Sequence, residues 1–400
     1  MHTDSGGKFL SDAARYPVPY RVCYSIRAVS SCPPFGRWNG WCNMKKQGIL
    51  LGVLALLALA GCSAHTQTAV PASQIKPQVQ VTEPASDPGS LTIYSPLPES
   101  ETSLYCSAFH KDTGIDVKCI YVSAGETVAR LAAEQDAPKA SVLLGGSADN
   151  YVQMRKDGLL EPYQSAELTD VPEAYLDVYG VWNPIYIGAI CFVCNEDWFA
   201  QTGTPLPQCW DDLLSPALAG QVVLTSPETS GTAYTILATL VQLRGETAAW
   251  DYLRALDQNI GQYTKASTQS VDLVKTGDYA VGVVFYHDGR RAMLDGYPVS
   301  LHIPEDGTGY EIGACALIRG GPREEQQNAR QFINWMTSPR GQECYIEAKS
   351  CRLPANSMAR AADGLPALQD MNLIAYDLEW AGRNRSRLVD TFLHEVRGEP

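Results

Sequence analysis

Several short stretches carry side chains able to hold a small polar ligand. Thr229-Ser230-Gly231-Thr232-Ala233-Tyr234 stands where a strand-turn opens a helix. Small hydroxyl residues at that place cap the helix, or the freed N–H groups and the positive end of the helix receive an anion. Lys265-Ala266-Ser267-Thr268-Gln269-Ser270 opens a second helix with three hydroxyls and a cation, again as a cap or as an anion turn. His287-Asp288-Gly289 follows an apolar strand, at the carboxyl end where binding crevices form. The pair either offers a donor and an acceptor to a polyol or satisfies a turn. Glu311, just before another apolar strand, accepts hydroxyl hydrogen bonds or stands as an exposed carboxylate. Tyr94-Ser95-Pro96-Leu97-Pro98-Glu99 leaves a strand for a helix and brings Ser95 towards the same crevice, or is an ordinary connection.

No catalytic set emerges from these residues. Ser230, His287 and Asp288 are the types a hydrolase uses, but there is no Gly-x-Ser-x-Gly elbow, and an Asp next to the His in sequence is poorly placed to orient it. Cys191-Phe192-Val193-Cys194 lacks a second spaced pair or a nearby histidine, so it does not read as a zinc site. The expectation is a binding protein without enzyme activity or cofactor.

The elements that must position these residues alternate. Strands are expected at 91–94, 116–122, 140–144, 189–193, 279–285 and 313–318. Helices are expected at 102–113, 126–134, 149–157, 232–243, 246–256 and 322–337, with one or two more in 375–394. Such alternation predicts an α/β sheet with ligands at the carboxyl ends of its strands.

The front of the chain reads differently. Met44-Lys45-Lys46 precedes an apolar run, 50–60, that is too short for a stable membrane span and ends in small residues at Gly61-Cys62, the form of a secretory signal. Leu59-Ala60-Gly61-Cys62 resembles the bacterial lipobox, which implies cleavage before Cys62 and a diacylglycerol on its sulfur. Residues 1–43 show no periodic pattern and read as an extension from a mis-assigned start, an ordered cysteine-rich module being the rival. Residues 62–89, rich in Pro, Gln, Thr, Ser and Val, read as a flexible tether.

Removing residues 1–61, with seven Lys/Arg and two Asp/Glu, takes the formal net charge from −13 to −18. Phosphate backbones are held by clustered Lys and Arg, so nucleic acid is not an expected partner. The mature region keeps eight cysteines besides Cys62. An even number in an exported chain predicts disulfides. The expected pairs are Cys344 with Cys351, Cys106 with Cys119, Cys194 with Cys209 and Cys191 with Cys315.

Five phrases together resemble the solute-binding proteins of bacterial ABC importers, in the cluster of ferric-ion, hexose-phosphate and phosphonate binders. They are Gly145-Gly146-Ser147, Pro184-Ile185-Tyr186-Ile187-Gly188-Ala189, Thr229 to Tyr234, Gln262-Tyr263-Thr264-Lys265 and Gly307-Thr308-Gly309-Tyr310-Glu311-Ile312-Gly313. The resemblance implies an α/β, two-lobed periplasmic-binding-protein fold with crossing hinge strands near 186–189 and 311–314. One lobe would comprise 90–187 and about 314–358, the other 188–313 and about 359–400. It implies a ligand held between Ser95, Gly145, Gly146 and Ser147 on one side and Ser230, Gly231, Thr232, Ser267, His287 and Asp288 on the other, with Glu311 at the hinge.

Ferric binders of this kind use adjacent tyrosines, whereas the matching place here reads His287-Asp288 after Tyr286. That pair looks more like the hexose-phosphate binders, whose hydroxyl turns take phosphate. The leading expectation is a small phosphorylated anion, and the alternative is ferric iron held by Tyr286, His287, Asp288 and Glu311. The resemblance further implies a monomer, lipid-anchored in the periplasm or at the cell surface, that delivers to an ABC permease.

Overall fold

In the computed structural model the described residues are 89–399. The extension, the signal segment, Cys62 and the tether up to Pro88 lie outside them. The strands are β1 Ser90–Ser95, β2 Asp116–Tyr121, β3 Val142–Ser147, β4 Leu160–Glu161, β5 Asn183–Asn195, β6 Val222–Thr225, β7 Ile260–Thr264, β8 Val281–Phe285, β9 Val299–His302, β10 Tyr310–Ile318 and β11 Leu353–Pro354. The helices are α1 Glu99–Thr113, α2 Ala124–Ala133, α3 Ala148–Lys156, α4 Glu196–Thr202, α5 Gly231–Arg244, α6 Glu246–Asp257, α7 Ser267–Lys275, α8 Tyr286–Leu294, α9 Gln326–Thr337, α10 Pro339–Glu347 and α11 Leu378–Thr391.

Along the sheet the strands run β2-β1-β3-β10-β5-β8-β6-β7, with β4 on β10 and both β9 and β11 on β5. Strands β1, β2 and β3 are parallel, as are β6, β7 and β8, so each group needs helical crossovers and buries both of its faces. The two longest strands join the groups. Residues 183–189 of β5 pair antiparallel with β10, whereas residues 190–194 pair with β8. All thirteen residues of β5 are buried, which is why an apolar run interrupted only by Pro184 and Gly188 still forms one strand.

Each group has its own core. Tyr105, Phe109, Phe332 and Tyr345 pack on one side of the first group, and Trp210, Phe192, Tyr234 and Leu240 build the core of the second. Helix α5 is apolar nearly all round and central in that second core. Helix α11 touches both groups. Glu379 takes Arg155 in a fork of 2.8 and 2.9 Å, Asp149 of α3 pairs with Arg385 at 3.3 Å, and the carbonyl of Ala381 accepts from Tyr234 of α5.

The expected disulfides do not form, and among the described residues all eight cysteines are free thiols. Cys191 and Cys194 face opposite sides of β5, so each is buried in a different cluster, and Cys315 belongs to the core of the first group. Cys209 stands partly exposed at the start of the Trp210 turn, while Cys194 is sealed inside the sheet. Cys344 lies under Arg340, whose guanidinium is 3.3 Å from its sulfur, and the Cys351 thiol turns to the Lys349 carbonyl. Cys106 and Cys119 line one cavity between α1 and β2 without joining.

Candidate functional site

The carboxyl ends of both parallel groups face one cleft. Strand β1 runs through Pro96-Leu97-Pro98 into α1, β2 through Ser123 into α2, and β3 directly into α3. Opposite them, β6 leads into α5, β7 into α7 and β8 into α8. Residues from all six junctions line a cavity of about 250 Å³. Six helix starts therefore point their free N–H groups and positive dipole ends into one space, an arrangement that favours negative charge.

Of the five helices that start elsewhere, α4, α10 and α11 are capped by Asn195, Ser338 and Asp377, while α6 and α9 have no side-chain cap. Of the six that open on the cleft, only α5 is capped, by Ser230, whose hydroxyl accepts from the Ala233 N–H. The other five have no side-chain cap.

At the floor of the cleft lies a compact polar cluster. His287 is fitted against the hinge strand because residue 188 is glycine: a Cβ there would stand 2.9 and 3.0 Å from the imidazole. Arg352 donates to His287 Nε2 at 2.8 Å and to Glu101 at 3.1 Å, and its guanidinium lies 4.3 Å from the Tyr186 ring centroid. An arginine has no acceptor, so the bond fixes the proton of His287 on Nδ1. Ser267 donates to Asp288 Oδ2 at 2.7 Å. Asp288 Oδ1 and Glu311 Oε1 lie 3.6 and 3.8 Å from His287 Nε2.

Burial dominates the protonation of this cluster. It pushes His287 well below the ordinary histidine range, helped by the charge of Arg352, so the ring is neutral. Burial raises Asp288, with Arg352 and the Ser267 hydroxyl acting the other way. Glu311 is pushed up to about 8 by burial, against the opposing pull of Arg352. At neutral pH its carboxyl is mostly uncharged and able to donate a hydrogen bond to a ligand. Burial alone would lower Arg352, yet Glu101 and the groups around it hold the guanidinium above its usual range. The floor is thus one permanent cation beside a neutral imidazole and a protonated glutamic acid.

Nine of the eleven candidate residues stand on the wall of this cleft: Gly146, Ser147, Ser230, Gly231, Thr232, Ser267, His287, Asp288 and Glu311. Ser95 and Gly145 do not. The Ser95 hydroxyl is buried and accepts from the Leu97 N–H, and Gly145, in the left-handed region at φ 86, packs against the Leu97 side chain. Tyr286 is also off the wall, packed on the cluster of Cys191 and Val193.

Sequence reasoning missed Arg352, Tyr186 and the Ser123 turn as wall residues, whereas Lys265 belongs to a helix-opening turn it had singled out. Arg352 sits beside a cysteine read as half of a disulfide, in a segment with no periodicity. Its signal is structural, since Lys349 and Cys351 hold φ of 50 and 56, the only non-glycine residues with positive φ among those described. The hydrolase reading also fails on geometry. Ser230 accepts from the Ala233 N–H and Ser267 donates to Asp288, while the acceptor nitrogen of His287 is taken by Arg352, so neither serine meets the histidine.

A cleft between two α/β groups, lined by helix starts, is suited to holding a small solute. The comparisons agree: residues 137–378 match the bacterial extracellular solute-binding protein family, and the chain belongs to that family. It is similar to an uncharacterized protein of Haemophilus influenzae, 34% identical over 325 residues that cover 78% of this chain and 92% of the other. The Fe(3+)-binding periplasmic protein of Serratia marcescens is 28% identical over 356 residues, covering 87% and 98%. Among solved structures, the periplasmic binding protein AfuA of Actinobacillus pleuropneumoniae, with fructose-6-phosphate bound, superposes with a TM-score of 0.74 at 32% identity, over 77% of this chain and 99% of that one. The protein is thus a solute-binding component of the ABC-importer type, not an enzyme, and its periplasmic relatives support a periplasmic location.

Proposed function

We propose that the cleft binds a small phosphorylated anion, a sugar phosphate or a phosphonate, which the protein delivers to an ABC permease as a monomer tethered to the membrane through a lipid on Cys62. The observation that carries this reading is the five uncapped helix starts around one cavity, with the protonated carboxyl of Glu311 at its floor. The N–H groups at the uncapped start of α7 and the hydroxyl of Ser230 suit phosphate oxygens, and Asp288 and Glu311 suit hydroxyls. Similarity to a structure holding fructose-6-phosphate supports the hexose class. Ferric binding has less support, because Tyr286 is off the wall and burial keeps the Tyr186 phenol protonated.

Ligand bound only by the native state raises the melting temperature. In a thermal-shift panel of fructose 6-phosphate, 2-aminoethylphosphonate, inorganic phosphate and ferric citrate, at least one phosphorylated compound is expected to stabilise the protein. Stabilisation by ferric citrate alone would overturn the reading. Ser230→Ala should then weaken the active compound about tenfold, since one charge-assisted hydrogen bond is worth about 1.5 kcal/mol. Unchanged affinity by calorimetry would take this turn out of the site.

The lobes, 90–187 with about 314–358 and 188–313 with about 359–400, close on the ligand in this reading. A Cβ at Gly125, on the first turn of α2, would stand 2.8 Å from the Glu228 carbonyl oxygen and 3.2 Å from Thr229 Cα on the opposite rim. Gly125→Val should prop the rims apart, lowering affinity at least tenfold. Equal affinity in both proteins would mean that the rims do not meet in the complex.

A further inference from the structure

We propose that Arg352 is the specificity residue that keeps metal ions out of this cleft, its guanidinium standing as a resident cation among groups that would otherwise ligate one. The proposal rests on the reading of the cleft as an organic-anion site. An imidazole and two carboxylates form a donor set for zinc, manganese or iron. In a tetrahedral zinc site with bonds of about 2.0–2.1 Å, ligand atoms lie about 3.4 Å apart. His287 Nε2 is 3.6 Å from Asp288 Oδ1 and 3.8 Å from Glu311 Oε1, nearly that spacing.

What blocks the site is the occupant. Arg352 donates to Nε2 at 2.8 Å, so the lone pair that a metal needs is already used. The other ring nitrogen offers no substitute, since it is buried against Gly188, where a Cβ would lie 3.0 Å away. A metal would have to expel a guanidinium that is 97% buried and break its ion pair with Glu101.

The chain commits backbone strain to holding this cation in place. Lys349 and Cys351 adopt left-handed φ of 50 and 56 without the freedom of glycine. The turn is gripped from α8, where Arg291 donates to the carbonyls of Ala348 and Lys349 at 3.4 and 3.1 Å. Arg352 thus reaches His287 from a turn that α8 itself clamps, so the cation and the imidazole it occupies are held in register.

The test uses the full-length protein and Zn²⁺ as the probe. By calorimetry the parent should show no saturable Zn²⁺ binding at submillimolar concentration. Arg352→Met should bind one Zn²⁺ at least 100-fold more tightly, and adding His287→Ala should abolish that gain. Arg352→Lys, which retains the charge, should stay zinc-free. Because Arg352→Met leaves Glu101 without its ion-pair partner, the double variant Arg352→Met/Glu101→Gln is measured beside it, with circular dichroism as the folding control. A folded double variant that gains no Zn²⁺ affinity, or a parent that already binds Zn²⁺ as tightly, would overturn the proposal. Fructose 6-phosphate titrated into the parent decides the underlying reading separately.

Discussion

Affinity for a phosphorylated ligand is expected to fall about tenfold per pH unit as pH rises above 8, because the floor of the cleft then gains a negative charge. The free-state carboxyl of Glu311 is held at about 8 by burial. A bound phosphate raises it further, so between the free and bound values each binding event takes up one proton. The ligand does not confound this window, since a phosphate monoester, with a second pKa of about 6, is already a dianion at pH 8. His287 is neutral throughout. Glu311→Gln keeps a donor and removes the titration, so its affinity should be flat over the same range. Calorimetry at pH 8.5 in two buffers of different ionisation enthalpy measures the proton directly. A flat profile in the parent, or the same slope in both proteins, would sink the idea. The same shift affects folding in a defined direction. A carboxyl raised from 4.5 to about 8 contributes its stability fully below pH 4.5 and loses it as pH rises through 8. The free parent should therefore lose more stability than Glu311→Gln between pH 6 and 9.

Arg385→Met is expected to destabilise the protein by about 3 kcal/mol at pH 8 and by clearly less at pH 5. Asp149 is fully buried in the first turn of α3, and its ion pair is with Arg385 of α11 at 3.3 Å. Burial raises Asp149 to about 6, with Arg385 pulling the other way. At pH 8 the variant must bury an unpaired carboxylate. At pH 5 the carboxyl takes a proton, and the loss shrinks towards the worth of the Arg385–Tyr234 stack, where guanidinium and ring centroid are 4.2 Å apart, about 1 kcal/mol. The sign follows from the raised value: ionisation of Asp149 costs stability as pH climbs through 6, and costs more once its partner is gone. Urea unfolding at both pH values checks this. Equal losses would show that Asp149 does not titrate as its burial implies.

The local elements were the most legible part of the chain. Apolar runs with turn residues between them placed β1, β2, β3, β5, β8 and β10 and the helices α1, α2, α3, α5, α6 and α9, since period and punctuation are carried by adjacent residues, but the list of expected strands left out β4, β6, β7, β9 and β11. The errors lie where distant pairing overrides local pattern. Strand β5 starts at Asn183 rather than 189 because β10 and β11 supply the hydrogen bonds for a segment containing Pro184 and Gly188. The disulfide pairing was illegible for a related reason. An even count and an exported context favour bridges, but whether two sulfurs meet depends on which core each strand face enters, and Cys191 and Cys194 enter different ones.

The hydroxyl turns at Ser230 and Ser267 and the His287-Asp288 pair announced a polar site because small hydroxyls before an apolar helix, and charged residues after an apolar strand, are local signals. By itself the sequence determined the α/β alternation, the acidic surface that disfavours nucleic acid, and the residue types available to a ligand. Only the tertiary structure decided which of them meet. It put six helix starts around one cavity, set Ser95 to a structural bond with Leu97, and sent Arg352 from a strained turn to the one imidazole in the cleft. No property of the neighbours of Arg352 in sequence encodes that encounter. It arises because β5 and β10 bring the two sheet groups together, and the burial they create is what neutralises Glu311 and His287 and leaves the guanidinium charged.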